Sequence, residues 1–68
     1  MKGLYIVEKK DIFASRWTAD TTFDDFYDAV NEAIEISKRY TKFNIKVRVF
    51  DVGLQKAVMT LDKHIRYE

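Results

Sequence analysis

The residue types and spacing closest to proton-transfer chemistry are Asp62 and His64, the chain's one histidine. Two residues apart on a strand, they would share a face, and the carboxylate could orient the imidazole as a general base. Nothing completes such a site. No serine stands in a nucleophile motif, there is no cysteine, and a single histidine builds no metal cluster. Gly3 and Gly53, the two glycines, are too few for a loop that cradles phosphates. The expectation is a protein without catalytic residues, cofactor or metal, with His64 an ordinary surface side chain.

Residues suited to binding are better represented. In Lys42-Phe-Asn-Ile-Lys-Val-Arg-Val-Phe50, strict alternation puts Ile45, Val47 and Val49 on one face of a strand. Lys46, Arg48 and Phe50 then occupy the other. A second run, Gln55 to Asp62, adds Ala57, Met59 and Leu61 to the first face and Lys56, Val58 and Thr60 to the second. The opening strand Gly3–Glu8 contributes either Tyr5 or Leu4 with Ile6, according to register. Trp17 fits two roles, a core plug against Phe23 and Phe26 or a large contact residue of an interface. The candidate surface is therefore Lys46, Arg48, Phe50, Lys56, Val58, Trp17 and Tyr5. Such a face can stack bases and hold phosphates, or it can dock on a protein; in a free monomer the Lys and Arg stems would simply cover it.

A second candidate lies on a helix. Thr22 followed by Asp25 resembles a capping box, and the segment after it repeats with helical period. At about 100° per residue, Phe23, Phe26, Tyr27, Val30, Ala33, Ile34, Ser37 and Tyr40 fall within one arc, with Ala29 and Ile36 at the seam. The opposite arc carries Asp24, Asp25, Asp28, Glu32 and Glu35, then Lys38 and Arg39. A strip of carboxylates could compete for a basic groove as a phosphate backbone does. Acids early and bases late in a helix are also what its dipole favours, at about 0.3–1 kcal/mol each.

These elements imply the fold. Strands are expected at Gly3–Glu8 and Ile12–Thr18, split by the polar break Lys9-Lys10-Asp11. The helix follows, and then a hairpin about Val52-Gly53-Leu54, where Gly53 would supply a positive φ. The architecture is α+β: a small antiparallel sheet of three to four strands, β-β-α-β-β or β-α-β-β, with one amphipathic helix across one face. Residues 1–68 read as a single domain.

Composition narrows function further. Twelve Lys and Arg against eleven Asp and Glu leave a formal charge of +1, not the basic excess of a domain living on phosphate contacts. Ten aromatic side chains are more than so small a core can hold, so some face solvent. No stretch approaches a membrane span of about 20 apolar residues, and the absence of cysteine fits a cytoplasmic protein.

In length, in lacking Cys and Pro, and in its strand, acidic helix and terminal hairpin, the chain resembles small bacteriophage proteins of host takeover and anti-defence. That resemblance implies a viral, cytoplasmic module that binds and inhibits a host macromolecule. It transfers no functional residue. The expected partner is a protein; the alternative is a single-stranded nucleic acid held by the basic and aromatic sheet face. Monomer and homodimer both fit, because bare strand edges invite a second copy.

Overall fold

In a computed structural model describing residues 3–40, 44–62 and 65–67, the order is β1 (Tyr5–Asp11), β2 (Thr18–Phe23), α1 (Phe26–Arg39), β3 (Ile45–Asp51), β4 (Lys56–Leu61) and β5 (Ile65–Tyr67). The strands form one sheet in the order β2-β1-β3-β4-β5, with every neighbouring pair antiparallel. The expected α+β architecture holds, with the short β5 added at one edge. Among the described residues, no helix is long and apolar enough to cross a membrane.

Helix α1 lies over the central strands. Val7 from β1, Val47 and Val49 from β3, and Met59 and Leu61 from β4 are buried against Ala29, Val30, Ala33 and Ile36. The helix face differs from the sequence-derived arc by roughly 50°, taken at about 100° per residue. Ala29 and Ile36, expected at the seam, are fully buried, whereas Tyr27 is 75% exposed. Small side chains at 29 and 33 bring the helix axis close to the sheet, and tyrosine tolerates water at its polar tip.

The helix begins one turn later than the capping-box reading. Asp25 is the N-cap, with Oδ1 accepting from the Tyr27 and Asp28 amides at 2.8 and 3.2 Å. Thr22 belongs to β2. The first hairpin is also longer than expected: Lys9, Lys10 and Asp11 continue β1, and Ile12–Trp17 is the connection rather than the second strand. Charged side chains do not end a strand whose alternate face is open to water.

At the β3–β4 turn, Gly53 does not take a positive φ; Gln55 does, at 58°. Asp51 Oδ1 accepts from the Leu54 amide at 3.1 Å and closes the loop from within. A side chain supplies the turn restraint here, so no glycine is required.

Two bulges set the faces. Val7 pairs with Thr21 and Glu8 with Ala19, leaving Asp20 as an extra residue in β2. Val49 pairs with Met59 and Phe50 with Ala57, leaving Val58 extra in β4. An extra residue reverses the alternation beyond it.

Candidate functional site: the open sheet face

The register between β1 and β3 places three pairs directly opposite one another on the face away from α1: Ile6 with Phe50, Glu8 with Arg48, and Lys10 with Lys46. One pair is apolar, one is oppositely charged, and one is like-charged. All six side chains are half-buried although no second layer lies over them among the described residues; Trp17 stands against two of them, Lys10 and Arg48.

Arg48 is the centre of this ladder. Its Nε donates to Glu8 Oε1 at 2.6 Å, with side-chain exposures of 24% and 16%. Its guanidinium carbon stands 4.3 Å from the Trp17 ring centroid and 5.4 Å from that of Phe50. The guanidinium thus meets a carboxylate through Nε and stands over two aromatic rings. Arg48 was expected to be a cation available to a ligand; its charge is already neutralised by Glu8, and it ties β3 to β1. Trp17 does not plug the core. It folds onto the open face, with Lys10 Nζ 5.2 Å from its ring centroid.

Three expected members leave this face. Tyr5 shares the helix side with Val7, and its ring packs edge-on against Phe26 at 5.7 Å. Val58, the bulged residue, packs against the core. Beyond the bulge the alternation is inverted, so Lys56 pairs with Asp51 on the helix side and Ala57 takes the place beside Phe50. Lys46, Arg48, Phe50 and Trp17 remain together, joined by Ile6, Glu8, Lys10 and Thr60. Sequence reasoning missed Lys10 because Lys9-Lys10-Asp11 looked like a break, and missed Glu8, already inside the expected strand, because only the β1–β3 register sets it opposite Arg48.

The acidic helix strip is less available than its sequence suggests. Asp25 is consumed by the N-cap. Glu35 meets Lys38 at 3.7 Å and Glu32 meets Arg39 at 3.6 Å. Asp24 and Asp28 remain without an ion pair among the described residues. The strip reduces to two unpaired carboxylates near the N-terminal end of α1.

His64 lies outside the described residues, so the Asp62–His64 pair is not part of this geometry. Among the described residues, no group of three or more His, Asp or Glu side chains is placed to hold a metal ion. No protein-family model, no curated protein and no solved structure matches the chain.

Proposed function

We propose that the protein is a docking module that binds and inhibits a macromolecular target, a protein in the cytoplasm of a bacterial host, through the open face of its sheet. The observation that carries this reading is a one-layer sheet whose second face, centred on Arg48, Phe50 and Trp17, has no covering element among the described residues. Half-buried aromatic and arginine side chains around a satisfied ion pair match the composition of interface centres. Neutralisation of Arg48 by Glu8 favours a protein over a polyanion, because a phosphate would have to displace an intramolecular carboxylate. The viral setting and the inhibitory outcome rest on the resemblance in size and layout alone.

A second reading, single-stranded nucleic-acid binding, is favoured by Lys10 over the Trp17 ring, with Lys46 opposite it on the face that also carries Phe50. Affinity capture from a bacterial lysate with the intact chain and with Phe50→Ala separates the two. A specific protein should be retained after nuclease treatment and lost at least tenfold with the variant. Oligonucleotide binding at physiological salt that falls steeply as salt rises would overturn the proposal.

A further inference from the structure

We propose that the β1–β2 hairpin tip is the anchor of this docking surface: Phe13 enters an apolar pocket on the partner protein, and Arg16 and Lys46 face carboxylates at the pocket's rim. The inference rests on the docking reading and assigns it a contact residue, an orientation and a partner chemistry.

Phe13 is 85% exposed, the most exposed of the large apolar side chains described, and Ile12 beside it is 40% exposed. A phenylalanine left in water forgoes the burial that its ring would gain in an apolar pocket. The loop presenting it is tightly restrained. The Ile12 amide donates to the Asn44 carbonyl and the Ala14 amide to the Asp11 carbonyl, each at 2.9 Å. Asp11 Oδ1 accepts from the Phe13 amide at 2.9 Å, and Lys10 Nζ donates to the Ala14 carbonyl at 3.2 Å. Trp17 closes the loop beneath Arg48 and Lys10. A loop held at both ends with an aromatic at its apex lowers the ordering cost of binding.

Charge defines the partner. Lys10 and Lys46 stand directly opposite on adjacent strands, an arrangement that costs stability by itself. Lys10 is engaged with the loop, while Lys46 and the exposed Arg16 have no ion pair among the described residues. Lys9, which stands 5.0 Å over Tyr40 at the end of the helix, is paired with Asp20 at 3.4 Å. Lys38 and Arg39 are paired with Glu35 and Glu32, so Lys46 and Arg16 are the cations left to a partner at this end. The register puts Lys46 and the loop carrying Arg16 at the Asp11–Ile45 end of the sheet, whereas Tyr5 with Asp51 and Phe23, and next to them Asp24 and Asp25, stand at the other end. A lipid surface is a poorer occupant, because one phenylalanine and one isoleucine offer little insertion.

The test is site-specific photo-crosslinking with benzoylphenylalanine placed, in separate full-length chains, at positions 13, 50 and 54 in a bacterial lysate. Leu54 is 63% exposed in the β3–β4 turn, at the opposite end. The expected result is a nuclease-resistant protein adduct from position 13 and none from 54, mapping to an apolar depression lined by Asp or Glu. Lys46→Glu or Arg16→Glu should reduce that adduct at least tenfold, with the circular dichroism spectrum unchanged. An adduct from position 50 but not 13 overturns the anchor and leaves the docking reading standing. Adducts from no position overturn both. An adduct at the mass of two chains, or co-sedimentation with anionic phosphatidylserine vesicles, also overturns the inference. An unaltered yield with both charge reversals overturns the acidic rim.

Discussion

On the helix side of the sheet, Val7, Val47, Val49 and Met59 lose all contact with solvent. On the reverse of the same strands, Ile6, Glu8, Arg48 and Phe50 keep part of theirs. The two faces are built from alternate residues of the same short segments, yet they are held by different physics. One is area removed from water and close packing. The other is a cross-strand ladder in which a buried-edge ion pair and two aromatic rings hold an arginine. A small domain that covered both faces would bury more apolar area, so under the docking proposal the open face is where stability is exchanged for a contact surface.

The largest expected difference between the faces is in core truncation. Ile36→Ala or Met59→Ala should cost about 2–5 kcal/mol, a large share of the stability of a domain this size, read as a lower urea midpoint. Phe50→Ala should cost only about 1 kcal/mol while abolishing partner binding. Equal losses would erase the distinction between the faces.

Next in size is the ion pair. A double-mutant cycle on Glu8→Ala and Arg48→Ala should give a coupling of about 1–2 kcal/mol, well above that of exposed pairs. The Glu35–Lys38 pair, with exposures of 61% and 70%, should give less than about 0.5 kcal/mol in the same assay. Asp25→Ala should cost about 1 kcal/mol through loss of the N-cap, and Asp25→Asn should largely preserve it.

The smallest effects run in the opposite direction. Lys46→Glu should raise stability by about 0.2–1 kcal/mol by giving Lys10 an opposite charge, even as it weakens binding. Gln55→Gly should stabilise by up to about 1 kcal/mol by relieving the left-handed backbone at φ 58°. Both are measurable by thermal unfolding.

Much of the helix side was legible because alternation in β3 and helical period in α1 both encode burial. Val47, Val49 and Met59 follow directly from those patterns. The open face was legible only in part. Lys46, Arg48 and Phe50 follow from the same alternation, but their neighbours depend on register and on two bulges that no local pattern announces. One extra residue at Val58 removed Lys56 from the face, the β1–β3 register set Glu8 opposite Arg48, and the continuation of β1 through Lys9-Lys10-Asp11 brought Lys10 opposite Lys46. The N-cap at Asp25 was missed because Thr22 offered an equally good motif three residues earlier. Phe13 was hidden inside a segment rich enough in apolar residues to read as a strand.

Among the described residues only one face of the sheet is covered, and methyl-resolved NMR with a soluble gadolinium chelate tests this directly. The Ile6 methyl signals should be strongly attenuated while those of Val7, Val47 and Val49 are spared. Equal protection of Ile6 and Val47 would mean that something covers the second face, which would contradict an open docking surface.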